Sequence, residues 1–385
     1  MAAPSPPSRT HQPPPSLLEL MRSSPARSPV THGLLLINVL VFVLMLGWGA
    51  GVWHTNSSVQ LAWGANFGPA TQDGQWWRLF TAMFIHFGVL HLGMNMWALR
   101  DVGRLVERLY GPWRFATVYL ISGVLGNLTS LAIQGSKSVS AGASGAIFGL
   151  YGALLVFLWR ERRQLDRSEF KLLFGIASIF TVLMLGMGWV MTGIDNAAHA
   201  GGLIAGALLA AGLAKPWTAA SPPHRWGPLL ALVCLMASTG WLIWNLAPPS
   251  YLLHDELKVR DAIQHFNQAN QRIGRQWDDM MARAPREGLS FDQLAGQIDT
   301  TVTAGYEHSF EQLMAATPST PVPSASTLNQ LQAFALQRAQ ASRDLADGLR
   351  SQNPEKIRQA IRQAQAPMRV ASQPSRKGMA ESPRP

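Results

Sequence analysis

Long runs of apolar residues, separated by short polar stretches, dominate the chain up to about residue 250. The runs are apolar on all sides rather than along one stripe, which favours helices in lipid over helices buried in a soluble bundle. Each run has, or nearly has, the roughly 20 residues that a membrane-spanning helix needs. We therefore predict an all-α, polytopic membrane protein with seven spans, at residues 34–53, 82–99, 115–133, 144–159, 172–191, 197–214 and 228–247.

The distribution of charge supports this topology. Only 14% of the 385 residues are charged, and the formal net charge is +10. Nucleic-acid-binding proteins also carry such a charge, but here Lys and Arg cluster in the N-terminal tail and in alternate loops, which is the positive-inside pattern. It predicts a cytoplasmic N-terminus, a C-terminal region outside the cytoplasm and no nucleic-acid partner. We expect a multi-pass protein of the lipid bilayer, in the bacterial inner membrane.

The two ends of the chain differ from its middle. Residues 1–33 are rich in Pro and Ser and have no sustained hydrophobic period, which predicts a disordered cytoplasmic tail. Residues 34–247 form the predicted membrane domain. Residues 248–385 are polar with a helical pattern, which predicts a helical extramembrane domain with a linker at 317–326 and a disordered basic tail at 366–385.

A heptad-like seam runs along the first part of that C-terminal domain. Its apolar members alternate spacings of four and three residues, as in a coiled coil, and one member is polar. The seam predicts a helix that packs against another helix, either in the same chain or in a second copy by self-association. Its members are Val259, Ile263, Phe266, Asn270, Ile273, Trp277 and Met280.

A serine and a histidine open two of the apolar runs. Ser144 begins the fourth run and His199 begins the sixth, and both runs point inward in the predicted topology. A serine hydroxyl is a weak nucleophile until a base takes its proton, and neutral imidazole is the usual base. We interpret Ser144 as the nucleophile and His199 as general base, then general acid. Back-bonding of the serine and a lone interhelical hydrogen bond of the histidine are the structural alternatives.

The second run carries His91 and Asn95, which are four residues apart and so lie on one helix face. Attack on a peptide carbonyl creates an oxyanion that needs preset hydrogen-bond donors. We interpret Asn95 and His91, with the Ser144 backbone N–H, as these donors; an interhelical hydrogen bond is the alternative. His86 is interpreted as a structural, hydrogen-bonded group.

Small residues recur every four positions on two of the runs. Gly145 and Gly149 lie on the fourth run, and Gly202 and Gly206 lie on the sixth. Such faces allow two helix backbones to approach closely in a membrane. If these two faces pack against each other, the serine and the histidine at the starts of their runs come together.

Other polar residues are interpreted as structural. Trp76 and Trp77 suit the headgroup region of the bilayer, and Arg78 follows them in a long outer loop. Glu107 lies among arginines on the cytoplasmic side, where we expect local pairing. Asp195 is expected to cap the helix that contains the histidine, in preference to serving as a third catalytic residue.

Together these motifs resemble those of the rhomboid intramembrane serine proteases, over about residues 70–214. The segments that carry the resemblance are Gly142-Ala-Ser144-Gly145, Ala198-His199-Ala-Gly-Gly202, His91-x-x-x-Asn95, Trp77-Arg78 and Gly103-x-x-x-Glu107-x-x-x-Gly111.

The resemblance implies a rhomboid-like core of six helices, to which the run at 228–247 adds a seventh transmembrane helix. It also implies a Ser–His dyad without an acidic third member and single-pass transmembrane proteins as substrates. Gly142, Gly145 and Gly202 are then structural supports, and Phe148 or Tyr151 is the aromatic residue placed against the catalytic histidine.

We expect an intramembrane serine endopeptidase. The first alternative is a non-catalytic rhomboid-like protein that binds membrane clients, although such relatives usually lack the serine or the histidine. The second alternative is a transporter, which needs polar groups near the bilayer midplane. No metal or nucleotide motif is present and Cys234 is the only cysteine, so we expect no cofactor.

Overall fold

The chain divides into two compact units, Met1–Pro249 and Ser250–Pro385. All regular elements in the described part of each unit are helical, which confirms the predicted all-α class. Most of the predicted tail at 1–33 and the tail at 366–385 lie outside the described residues. The structure is a computed structural model that describes residues 16–17, 28–191, 193–213 and 226–365.

Helices of the first unit follow the predicted apolar runs closely. In chain order they are α1 (Pro29–Gly47), α2 (Ser57–Trp63), α3 (Gly68–Thr71), α4 (Arg78–Thr81), α5 (Val89–Tyr110), α6 (Pro112–Gln134), α7 (Ser144–Glu161), α8 (Arg167–Val190), α9 (Asn196–Leu213) and α10 (Gly227–Trp244).

Length and hydropathy identify five of the described helices as able to cross a membrane, namely α1, α6, α8, α9 and α10. A sixth candidate is the pair Arg78–Phe84 and Val89–Tyr110, which is bent by 92°. The chain is therefore an integral, multi-pass membrane protein. Helix α7 coincides with the predicted run at 144–159 but is not among these candidates, because its glycines and its terminal Arg160 and Glu161 lower its hydropathy.

The bend changes one predicted boundary. The run at 82–99 is not one straight span: a short 3₁₀ helix, Ala82–Phe84, precedes the break, and α5 begins only at Val89. Helix α5 then continues to Tyr110, through a stretch that the sequence assigned to a loop. The arginines in that stretch are good helix formers, and Val102 and Val106 on its other face are buried.

Helix α7 lies at the centre of the first unit. Its residues from Gly145 to Leu154 are all buried. Helix α8, in contrast, buries only Ala177 and Thr181. A central helix is covered by protein rather than by lipid, so it tolerates the glycines and the polar start that α7 carries.

Glu107 has the structural role expected of it, but with a different partner. Its carboxylate accepts hydrogen bonds from the N–H groups of Val30 (3.0 Å) and Thr31 (2.8 Å) and from the Thr31 hydroxyl (2.7 Å). These groups begin α1, where the helix dipole favours a negative charge. Helix α1 therefore begins at Pro29, earlier than residue 34.

The second unit contains a helical bundle built around the seam. The buried members of the seam are Val259, Phe266, Ile273 and Met280. The polar member, Asn270, accepts a hydrogen bond from the Tyr306 hydroxyl at 2.8 Å. The helices of this second unit are α11 (Leu253–Glu287), α12 (Phe291–Ile298), α13 (Ala304–Ala315), α14 (Ala325–Arg350) and α15 (Pro354–Gln365), with a π-helical turn at Asp299–Thr303.

The residues of this seam pack against other helices of the same chain. Val259 and Phe266 belong to one cluster with Leu313 and Leu331. Ile273 and Met280 belong to a second cluster with Ile298 and Leu349. Of the two packing modes that the sequence left open, the structure thus uses the intramolecular one. Self-association would have to use a different face of the unit.

Candidate active site

Ser144 and His199 meet at the starts of α7 and α9. The His199 Nε2 atom lies 2.8 Å from the Ser144 Oγ atom, which is hydrogen-bonding distance. His199 is 7% exposed, and Ser144 is half-buried. Ser144 is therefore partly exposed, whereas His199 is held inside the protein.

Glycines bring these two helices together. A Cβ atom added to Gly202 would overlap the carbonyl oxygen of Gly145, and one added to Gly206 would overlap that of Gly149. A Cβ atom on Gly145 would instead lie 3.4 Å from the nearest atom, the Ala198 carbonyl oxygen. Backbone thus packs directly on backbone, and both helices contribute, since a Cβ atom on Gly152 of α7 would overlap the Leu203 carbonyl oxygen of α9.

An aromatic ring holds the histidine in place. Phe148, one turn along α7 from the serine, stacks on the His199 ring with centroids 4.3 Å apart and planes 12° apart. The other aromatic candidate, Tyr151, stacks on Phe180 of α8 instead, at 4.6 Å. Stacking fixes the plane of the imidazole and leaves its edge free to face the serine.

No acidic side chain completes a triad in the described part of the molecule. The His199 Nδ1 atom is buried and has no hydrogen-bond partner there. Asp195 accepts from the Ala198 N–H at 3.0 Å and so caps α9, in line with the expected capping role. The arrangement is therefore a pair of side chains, with the histidine oriented by stacking.

Asp195 also anchors the neighbouring elements, a role that no local sequence pattern indicates. Its carboxylate accepts from the side chains of Ser130 and Gln134 on α6, the latter at 2.6 Å. It accepts as well from the Ser140 hydroxyl, in the loop that leads to the serine. One carboxylate thus ties together the ends of both helices that carry the pair.

His91 and Asn95 lie one turn apart on α5, and His91 lies beside the loop that precedes the serine. A Cβ atom on Gly142 would lie 2.8 Å from the His91 Cε1 atom, and Gly142 has a φ of +130° that suits glycine. The Asn95 amide donates to the His91 carbonyl oxygen at 2.9 Å. That amide has a second N–H, which remains for another acceptor.

His86 is fully buried next to this group. Its ring centroid lies 5.2 Å from that of His91. The His91 Nδ1 atom in turn accepts from the Phe87 N–H at 3.3 Å. His86 therefore packs behind His91. The hydrogen bond expected of it is not found, because both of its ring nitrogens are buried without a hydrogen-bond partner among the described residues.

Backbone pairing and a buried arginine shape the outer loop over the site. Asn66 and Ser140 form an isolated antiparallel bridge, with N–H to O distances of 2.9 and 2.8 Å. The Arg78 guanidinium donates to the carbonyl oxygens of Leu61 (2.7 Å) and Ala65 (3.0 Å). Arg78 is thus a structural anchor, which the sequence had left as part of an interfacial loop.

The described residues contain no group of three or more His, Cys, Asp or Glu arranged to hold a metal ion. A serine oxygen beside an imidazole nitrogen can attack a carbonyl carbon, and the first N–H groups of α7 have no partner within their own helix.

Comparison with known proteins places this site in a family context. Residues 73–216 match the model of the Rhomboid domain. The chain is 35% identical over 146 residues to the putative rhomboid protease YdcA of Bacillus subtilis, covering 38% of this chain and 70% of the relative. It is 37% identical over 223 residues to the rhomboid protease GluP of the same organism, covering 57% of this chain and 41% of the relative.

A third relative carries a different description. The chain is 33% identical over 207 residues to "Inactive RHOMBOID-like protein 8" of Arabidopsis thaliana, covering 48% of this chain and 58% of the relative. The chain thus spans less than two thirds of the length of both this relative and GluP.

Proposed function

Since the chain belongs to the rhomboid family, we propose that it is an intramembrane serine endopeptidase that hydrolyses peptide bonds in or near transmembrane segments. The observation that carries this proposal is the 2.8 Å contact between the His199 Nε2 and Ser144 Oγ atoms. A half-buried serine and a buried, stacked histidine are what nucleophilic catalysis by a dyad requires.

The proposed reaction begins at the serine. With the histidine in the tautomer that is protonated on Nδ1, Nε2 takes the Ser144 proton while Oγ bonds to the carbonyl carbon. The tetrahedral oxyanion collapses as His199 gives this proton to the leaving amine, and an acyl-enzyme remains. Water then attacks the acyl carbon, the histidine takes a proton from it, and Ser144 is released with that proton.

Developing charge on the oxyanion is stabilised by nearby donors. The start of α7 presents the Ser144 N–H and the positive end of a helix dipole. Asn95 and His91 of α5 complete the proposed oxyanion site from the other side of Gly142. Removing one donor of this kind typically costs on the order of 10²–10³ in rate.

We further propose single-pass transmembrane proteins as substrates. A site at the ends of two membrane helices meets an unwound segment near the bilayer surface and receives water from the adjacent aqueous phase. The positive-inside pattern favours a cytoplasmic N-terminus, a site towards the outer face and a C-terminal unit outside the cytoplasm, in a bacterial inner membrane.

A non-catalytic, client-binding protein is the second candidate, because one relative is described as inactive. The contact between Ser144 and His199 favours catalysis over this candidate. A protein that only binds clients has no use for an accessible hydroxyl held against an imidazole.

Cleavage of a single-pass reporter substrate in liposomes tests the proposal. Ser144→Ala and His199→Ala should each lower the rate at least about 10³-fold, since members of a catalytic unit fail together. The control is Ser238→Ala on α10, whose hydroxyl only bonds to the Leu235 carbonyl oxygen within its helix at 3.0 Å. It should cleave like the parent chain.

A serine-directed fluorophosphonate probe provides the second measurement. It should label the parent chain and Ser238→Ala but not Ser144→Ala. Labelling that persists in Ser144→Ala would identify another nucleophile. Reporter capture without cleavage by the parent chain would instead favour the client-binding candidate.

A further inference from the structure

A cavity of about 800 Å³ lies in the first unit, away from the serine. Helices α7, α8 and α9 supply its apolar wall, which includes Leu155, Phe174 and Leu203. Three arginines, Arg160, Arg162 and Arg163, line it as well. Arg160 lies roughly 24 Å along α7 from Ser144, at 1.5 Å per residue, so the cavity is separate from the candidate active site.

The arginines carry more positive charge than their surroundings neutralise. The Arg160 side chain is only 12% exposed, and its Nε atom is 3.5 Å from the Glu161 carboxylate. That Nε atom makes no hydrogen bond within the described part of the chain. Arg162 is half-buried and Arg163 is exposed, so Arg160 is the charge whose burial is costly unless an anion accompanies it.

Other carboxylates near these arginines in the sequence are already engaged. Asp166 caps α8 by accepting from the Ser168 N–H at 2.9 Å and the Glu169 N–H at 3.1 Å. The Glu169 carboxylate accepts from the Ser16 hydroxyl at 2.6 Å and the Leu17 N–H at 2.7 Å. The positive charge at the cavity therefore remains for a ligand.

An exposed tryptophan places this end of the cavity at the depth of lipid headgroups. The Arg162 guanidinium lies 4.4 Å from the ring centroid of Trp159 and donates to the Trp159 carbonyl oxygen. Tryptophan and arginine at the end of a membrane helix are typical of the interface between hydrocarbon and water. The apolar wall accordingly extends from the headgroup region into the hydrocarbon.

We propose that this cavity binds one anionic diacyl phospholipid of the surrounding leaflet, with its phosphate at Arg160 and Arg163 and one acyl chain along the apolar wall. Guanidinium groups bind phosphate oxygens in bidentate fashion. Basic pockets between transmembrane helices are suited to anionic headgroups. A volume of about 800 Å³ also falls in the range of ligand sites, roughly 300–1,000 Å³.

Such a lipid contacts three helices at the end of the core opposite the serine. A ligand that binds only the folded state stabilises it by a free energy that rises with the logarithm of its free concentration divided by its Kd, once that ratio is large. Bound lipid thus adds a contact to α8 at a level where Gly152 of α7 already packs against the Leu203 carbonyl oxygen of α9. This role is independent of cleavage, so the Ser144→Ala chain is suitable for testing it.

The test is lipid binding to the purified full chain, measured by native mass spectrometry and by thermal unfolding. Phosphatidylglycerol should bind about tenfold more tightly than phosphatidylcholine with the same acyl chains. Arg160→Gln with Arg163→Gln should weaken phosphatidylglycerol binding about tenfold or more. The control pair, Arg100→Gln with Arg167→Gln, removes the same charge from exposed arginines outside the cavity and should change binding less than twofold.

Ala207→Phe provides a second variant that leaves every charge in place. It fills the apolar wall and should lower phosphatidylglycerol binding even if the arginine variant does not fold. Equal binding of the two lipids, or equal loss in the control pair, would overturn the proposal in favour of general lipid adhesion. If glycerol phosphate alone stabilised the chain by the same amount, the acyl chain would contribute nothing to binding, and the proposal of a bound phospholipid would be refuted.

Discussion

Helices pack against each other both at the α7–α9 contact and in the core of the second unit. The first contact is built from glycines, whereas the second is built from large apolar side chains. Gly145 and Gly202 let two backbones touch in the membrane unit. Val259 and Phe266 fill the space between helices in the second unit. Lipid is as apolar as leucine, so membrane helices gain from close approach rather than from burial, whereas water drives large apolar side chains together.

This difference predicts opposite sensitivities to substitution. An added methyl group on Gly202 should disrupt the contact between α7 and α9, because the backbone atoms it would overlap cannot move aside. A removed methylene should disrupt the second unit, because the loss leaves a cavity. The following substitutions test that contrast, beginning with the largest expected effect.

Gly202→Val should prevent the membrane unit from folding. Its Cβ atom would overlap the Gly145 carbonyl oxygen, and we expect a loss above about 5 kcal/mol because the obstacle is backbone. Gly145→Ala should cost less than about 1 kcal/mol. Gly175→Ala on α8 is the control, since its Cβ atom would meet nothing within 4 Å. Unfolding of the purified chain in detergent measures all three, and equal effects would refute the contrast.

Phe266→Ala should destabilise the second unit by about 3–5 kcal/mol, the usual cost of a large cavity. The ring is 3% exposed and packs edge-on against Phe334 at 6.1 Å. Leu257→Ala on the same helix is the control, because that side chain is 53% exposed and should contribute less than about 0.5 kcal/mol. Hydrogen exchange of α11 in the full chain reports both, and a small effect of Phe266→Ala would mean that the core repacks.

Asn95→Ala should lower the cleavage rate about 10²–10³-fold without unfolding the chain, if its free N–H serves the oxyanion. Asn245→Ala is a matched control, because its amide makes the same kind of bond to a carbonyl four residues earlier, that of Trp241 at 2.8 Å. Both variants lose a local bond, but only Asn95→Ala should lose activity. Equal rates would assign Asn95 a purely structural role.

Glu256→Gln should have the smallest effect and a distinct pH profile. Burial alone would raise the pKa of Glu256, but the hydroxyl and N–H of Ser324 and the Arg260 guanidinium outweigh burial and hold the pKa below its ordinary value. The stabilisation is therefore present above the unfolded-state pKa of about 4.3 and is lost as pH falls through the folded-state pKa.

For this residue we expect Glu256→Gln to cost about 1–3 kcal/mol at neutral pH. Its stability should then change less between neutral and acidic pH than that of the parent chain. Denaturant unfolding of the second unit, followed at several pH values, measures this. Parallel pH profiles for the two chains would show that other carboxylates dominate the acid response.

Local patterns in the sequence predicted most of the helices and the proximity of Ser144 and His199. Six of the seven apolar runs coincide with one long helix each, because a backbone in lipid must satisfy its own hydrogen bonds. The four-residue spacing of Gly202 and Gly206 predicted a close helix contact, and the structure packs both against α7. The serine and histidine follow from that contact, because each lies at the start of its helix.

Other features depend on contacts that no local pattern encodes. Ser130, Gln134 and Ser140 bind Asp195 from positions 55 to 65 residues away in the chain. The bend before Val89 arises where the chain leaves the outer loop. Hydropathy does not change at the bend, so it predicted one continuous span there. Between Phe148 and Tyr151, the sequence offered no basis to decide which ring stacks on the histidine.

The direct backbone contact at Gly202 has a mechanical consequence. Only peptide groups separate α7 from α9 at that level, so covalent geometry, rather than a choice of rotamers, sets the separation of the two helices that carry the serine and the histidine. Thicker or thinner bilayers are accommodated chiefly by tilting helices. Two helices in such contact tilt as one rigid body, and the reacting atoms stay in register while the surrounding membrane changes its dimensions.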